Sequence, residues 1–228
     1  MSAFVLKKFD LRKYEEILGR GLCSGVGDQG EQVCIEAAIC ETLGLPHGDD
    51  PKCVTSSVRA FKIALNDLDW KTEYTRSEGL HDLGLAQLGS KGVVDSREFM
   101  KRMFKKLVQV MLPEFMRCYY PNKFKDDVDL CEKNGDAKSI KRLYNNSQYQ
   151  NDTVNNIACH LVGYRSKIDH GSFSGMARDF IEGLQVNHHR ISGYGTTGCD
   201  KYLEMAADLA LDVLKELKSP GVKLLKKQ

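Results

Sequence analysis

Cys23-Ser-Gly-Val-Gly-Asp-Gln-Gly-Glu-Gln-Val-Cys34 is the stretch whose reading decides the fold. Gly25, Gly27 and Gly30 spell G-x-G-x-x-G, the turn that joins a strand to a helix and cradles a pyrophosphate in dinucleotide-binding proteins. Read that way, the chain is α/β. Read as a turn between helices, it is all-α. The flanks favour the second reading. Glu-Glu-Ile-Leu-Gly-Arg-Gly-Leu before the loop has helix and turn chemistry, and no β-alternating run follows it. Asp28 and Glu31 bring negative charge to a helix start, where a phosphate would need bare amides. No lysine follows the last glycine as in a P-loop. The glycines are expected to shape the path of the chain into a buried helix, with no bound cofactor.

Composition sets the class. With 42 % hydrophobic and 28 % charged residues, the 228-residue chain can fill a core and stay dissolved. A formal net charge of +2 lacks the basic excess of a nucleic-acid binder, so no nucleic-acid partner is expected. The apolar patch before Lys7 is too short for a signal sequence. No run approaches the ~18 apolar residues of a membrane span. These features predict a cytoplasmic protein with no membrane partner. The eight cysteines include no C-x-x-C pair, so free buried thiols are expected in place of disulfides or a zinc site.

Helical periodicity runs through the rest. Asp10 caps a short helix with Leu11, Tyr14, Ile17 and Leu18 on one face. Glu31–Leu43 follows, apolar all round except Glu36, and stops at Gly44. Further helices are predicted from Thr55 or Ser56 to Asn66, over Ser77–Leu88, and from a capping box at Asp95–Glu98 to a kink or break at Pro113. Pro121–Asn151 reads as a polar surface excursion with one or two short helices. Asp152–Val162, Ser174–Leu184 and a last helix capped by Asp200 complete the pattern, with a flexible Gly193–Gly198 loop before the last. The expected fold is an all-α, multi-helix orthogonal bundle whose final amphipathic helix packs back on the N-terminal part. Residues 1–120 and 121–228 form its two parts, continuous as one domain.

The polar residues beyond the glycine loop carry the functional question. Glu36 sits in an apolar helix, where a carboxylate needs a partner. His47, Asp49 and Asp50 follow in a loop stiffened by Pro46 and Pro51, and Arg59, Asn66 and Asp67 lie on the next helix. Three readings stay open. Glu36 pairs with Arg59 while Asp49 or Asp50 caps a turn or helix. Alternatively, His47, Asp49 and Asp50 hold a divalent metal, with Glu36 as ligand or base of a small metal-dependent hydrolase. In the third, the loop and Arg59 recognise a protein partner or a small polar ligand. His188-His189-Arg190 reads as an exposed loop, His81 and His170 show no evident partner, and Cys159 and His160, adjacent on a helix, do not face each other.

C-I-E-A-A-I-C-x-x-L-G-L-P-H-G-D-D-P-x-C-V, followed by V-R-A-F-K-I-A-L-N-D, resembles a broad family of uncharacterised bacterial helical proteins. Their pattern, E-A, then G-x-P-x-x-D-x-P-x-C-V, then N-D, falls on Glu36, Ala37, Gly44, Pro46, Asp49, Pro51, Cys53, Val54, Asn66 and Asp67. The likeness covers roughly residues 20–112 and 200–221. It lacks the alanine-rich tails that many members carry, and it implies no activity. It does single out Glu36, Asp49, Cys53, Asn66 and Asp67 among the polar residues. The expectation is a non-enzymatic interaction or ligand-binding module, with the metal-dependent hydrolase as the alternative.

Overall fold

Asp10 accepts the amides of Arg12 and Lys13 and so starts α2 (Leu11–Leu18), after a short α1 (Ser2–Lys8). The computed structural model describes residues 2–164, 169–192 and 200–225. The remaining helices are α3 (Ile35–Thr42), α4 (Ser56–Asn66), α5 (Glu73–Ala86), α6 (Ser96–Lys106), α7 (Leu112–Tyr119), α8 (Lys125–Asn134), α9 (Ala137–Ser147), α10 (Asp152–Val162), α11 (His170–Ser192) and α12 (Lys201–Glu216). A π turn, Leu107–Met111, joins α6 to α7, and a 3₁₀ turn, Pro220–Lys223, follows α12. The fold is all-α. Among the described residues the only β pairing is two isolated bridges, Leu22 with Val33 and Gly27 with Val33.

Those bridges explain where the sequence reading of α3 failed. The helix begins at Ile35 and not at Glu31, because Val33 is drawn into pairing with the loop and Cys34 stands extended. Cys34 Sγ accepts the Ala37 amide and takes the place of an ordinary cap. α5 begins at Glu73, four residues before the expected start, on a reciprocal pair between Thr72 and Thr75 in which threonine replaces the usual Glu at the third position. The box at Asp95 is only half formed: Asp95 accepts the Glu98 amide at 2.9 Å, but the Glu98 carboxylate turns to Arg102 at 2.8 Å. Pro113 does not break the helix. The π turn before it widens the backbone by one residue, and α7 continues through the proline.

The short helices expected within 121–151 are α8 and α9, but they are no surface excursion, since they bury Val128, Cys131, Ile140 and Leu143. α11 is longer than expected at 23 residues, and His188 and His189 lie buried on it and not in an exposed loop. Gly193–Gly198 lies outside the described residues. Asp200 leaves the start of α12 without a side-chain cap and accepts the Lys71 amide at 2.9 Å instead.

One hydrophobic core runs from Phe9 to Leu224 and draws on both halves of the chain. α11 packs along α4, while α12 packs along α5 and against α6. The segment after α12 closes over the end of α5: Ser219 Oγ donates to Ala86 O, and Gly221 lies so close that a Cβ on it would stand 2.0 Å from Leu85 O. Among the described residues no helix is long and apolar enough to cross a membrane. Among the described residues the thiols are free, and Cys34, Cys40 and Cys131 are buried. Burial pushes their pKa values up to about 11, 12 and 12.

Candidate functional site

α4 carries or contacts Glu36, Asp50, Arg59, Asn66 and Asp67 among the polar residues that the sequence marked. Its apolar stripe, Val58, Phe61 and Leu65, faces the core, and Lys62 falls inside that stripe, four residues after Val58 and three before Leu65. Lys62 and Glu36 are both fully buried, with Lys62 Nζ 3.2 Å from Glu36 Oε1. Gln87 Nε2 donates to Glu36 Oε2 at 3.0 Å. The partner of Glu36 is therefore Lys62 and not Arg59. Burial raises the Glu36 carboxyl and lowers the Lys62 ammonium, and the opposite charge of each partner works against the shift. Glu36 Oε1, Lys62 Nζ and Gln87 Oε1 lack a well-aligned hydrogen bond, so the cluster is a costly one to bury.

At the other end of α4, Asn66 and Asp67 fasten the glycine loop. Asn66 Oδ1 accepts the Ile35 amide at 3.3 Å, and so satisfies a donor at the start of α3; its Nδ2 donates to Cys23 O at 2.9 Å. Asp67 Oδ1 accepts the Gly25 amide at 2.9 Å. Gly25, Gly27 and Gly30 all stand at positive φ. At Gly27 a Cβ would meet Gln32 O at 2.2 Å, so that glycine serves close backbone approach. Of the loop amides, those of Cys23, Asp28, Glu31 and Cys34 donate to backbone carbonyls and that of Gly25 to Asp67. Glu36, Asp49, Asn66 and Asp67, four of the residues singled out by the resemblance, line one small notch of about 60 Å³ together with Gly25 and Ile63.

The loop Pro46–Cys53 separates the residues expected to bind a metal. His47 Nε2 donates to Gly27 O at 2.9 Å. Asp49 faces the notch. Asp50 turns to the opposite side, where it lies 2.9 Å from Arg59 Nη1 and accepts from Lys52 Nζ at 2.6 Å and from the Lys52 amide at 3.1 Å. The hydrogen bond from Lys52 Nζ, joined by those from the Lys52 amide and Arg59, holds the Asp50 carboxyl down at about 2. Among the described residues no group of three or more His, Cys, Asp or Glu side chains is placed to hold a metal ion. The metal centre expected on His47, Asp49 and Asp50 with Glu36 is thus not assembled.

What Asp50 and Arg59 do line is a cleft of about 560 Å³ between the starts of α4 and α6. Thr55, Ser56, Lys91, Asp95 and Ser96 complete its polar wall. α4 begins there without a side-chain cap, because the Thr55 hydroxyl is taken up elsewhere, against Ser90 O at 2.9 Å and Val94 O at 3.1 Å. Ser56 and Ser96 bring their hydroxyls within 3.4 Å of each other, and Lys91 has no ion pair among the described residues. Lys91 and Ser96 were not singled out in the sequence, since Lys91 lies in a turn with no motif and Ser96 inside a capping box that announces only a helix start; the fold brings them opposite Arg59. His81, which shows no evident partner in the sequence, has two in the fold. It bridges Glu15 at 2.9 Å and Asp82 at 2.8 Å.

The sequence matches no family model, and neither a curated protein nor a solved structure shows significant similarity to it.

Proposed function

We propose that this protein is a non-enzymatic binding module that seats a small anionic ligand in the cleft between the starts of α4 and α6. One observation carries the reading: the start of α4 has no side-chain cap and opens onto a cleft containing Arg59 and Lys91. The first amides of a helix and its dipole favour negative charge, and a guanidinium adds a planar fork of donors matched to carboxylate or phosphate oxygens. The hydroxyls of Ser56 and Ser96 can accept or donate at the rim. Asp50 supports the same reading, since a carboxylate already lies against Arg59.

Melting of the full chain across increasing phosphate, sulfate and citrate tests this. A ligand of the native state raises the melting temperature as its concentration passes Kd. Arg59→Ala and Lys91→Ala are each expected to weaken the effect about tenfold, the loss of one charge-assisted contact. If none of the three anions shifts melting beyond a chloride control of equal ionic strength, the reading fails.

A further inference from the structure

Asp50 occupies the cleft as a bound anion would. Its two oxygens take Arg59 Nη1, Lys52 Nζ and the Lys52 amide at 2.9, 2.6 and 3.1 Å. The loop bends sharply to make the contact, since Lys52 stands at φ 60°, in the left-handed region that side chains rarely adopt. A carboxylate tethered on the same chain competes at an effective concentration of roughly millimolar or above. A free monoanionic carboxylate that offers the same two oxygens gains little by displacing it. A phosphate monoester brings a second negative charge and a third oxygen. The cleft has groups for both, in Lys91, the Ser56 and Ser96 hydroxyls and the uncapped amides of α4.

We propose that Asp50 sets the specificity of the cleft: it competes with ligands for Arg59 and so restricts them to dianionic head groups, phosphate monoesters foremost. This rests on the reading of the cleft as an anion site. The charged groups that face Asp50 are Arg59 from α4, Lys52 from its own loop, and Lys91 and Asp95 across the cleft. Among the described residues no histidine, the side chain that changes charge between pH 5 and 8, lines the cleft. Asp50 itself titrates at about 2, so it competes as an anion throughout that range. Any pH dependence of binding there comes from the ligand.

The experiment titrates the full chain, Asp50→Asn, Asp50→Ala and Arg59→Ala with methyl phosphate, sulfate and acetate, following the amide resonances of Ser56, Ser57 and Val58. The native chain is expected to bind methyl phosphate and sulfate at least about tenfold more tightly than acetate, and either neutral replacement of Asp50 to narrow that gap about tenfold by gaining acetate. Arg59→Ala should weaken all three anions. Lowering the pH from about 7.5 to about 5.5 should weaken methyl phosphate, whose second ionisation lies near 6, and leave sulfate unchanged. If both Asp50 variants keep the native ratio of phosphate to acetate while the native chain still binds phosphate through Arg59, the role given to Asp50 is wrong and the anion site stands. If no anion moves those resonances in the native chain or in either Asp50 variant, both are wrong.

Discussion

Lys62 is the residue whose environment differs most from its chemistry. A lysine with no exposed surface survives in this core because Glu36 stands 3.2 Å away. Removing one partner leaves the other as an uncompensated buried charge, whereas replacing both with apolar side chains of similar volume removes the desolvation cost as well. Lys62→Ala is therefore expected to lower the unfolding free energy by about 3–5 kcal/mol, and Glu36→Leu with Lys62→Met to leave it nearly unchanged. Urea denaturation of the three proteins measures this. A double variant as unstable as Lys62→Ala would show that the loss comes from packing and not from charge. The sequence already held the clue. Glu36 was legible as a buried carboxylate in need of a partner. The sequence reading pairs Glu36 with Arg59 and leaves Lys62 out, although the spacing of Lys62 from Val58 and Leu65 places it on the buried stripe. Arg59, one turn earlier, reaches the surface and finds Asp50.

At the scale of elements, the glycine loop separates two uses of the same residue type. Gly30 stands at φ 86° with nothing within 4 Å of a Cβ, so its demand is conformational alone; Gly27 stands at φ 72° and would drive a Cβ against Gln32 O and Cys23 Sγ. Gly30→Ala should cost about 1–2 kcal/mol, the ordinary penalty of a left-handed residue. Gly27→Ala should cost roughly 3 kcal/mol or more, because a backbone clash is added to that penalty. Thermal unfolding of the pair checks the order, and equal losses would mean that the close approach at Gly27 is not rigid. At the helix capped by Asp10 and over Asp152–Val162 the sequence reading and the structure agree. The reading failed where long-range contacts set a boundary. The start of α3 depends on Leu22, Gly27 and Asn66, and none of these is a neighbour of Cys34 in the chain. His47, Asp49 and Asp50, whose side-chain types suit a metal, are kept apart for the same reason, because each answers to a different partner across the fold.

Over the whole molecule, one core joins Phe9 near α2 to Leu224 after α12. α12 was legible from its stripe, and that it packs back on the N-terminal part follows from how much apolar surface it must cover. The tight seat of Gly221 was not legible, since Ser-Pro-Gly reads only as a stop. Gly221→Ala would press a Cβ to within 2.0 Å of a backbone oxygen at the end of α5. The expected cost is about 2–3 kcal/mol, a fall in melting temperature of about 5–10 °C for a chain of this size. An unchanged melting curve would mean that the segment after α12 can lift away without loosening the core. The cleft shows the same dependence on global folding. Arg59 and Lys91 belong to different segments, and only the packing of α4 beside α6 brings them to one wall.

The buried thiols give unfolding a direction. While the chain is folded, Cys34, Cys40 and Cys131 are shielded, and burial keeps them protonated. Once the core opens, they regain the reactivity of an ordinary thiol, with a pKa near ~8.5, beside other free cysteines on the same chain. A disulfide formed in that interval joins sulfurs that the native packing holds apart or encloses, and the chain cannot close around it. Under reducing conditions each excursion ends in refolding. In air each excursion carries a chance of capture, so heating becomes a ratchet whose steps are counted in oxidised thiols.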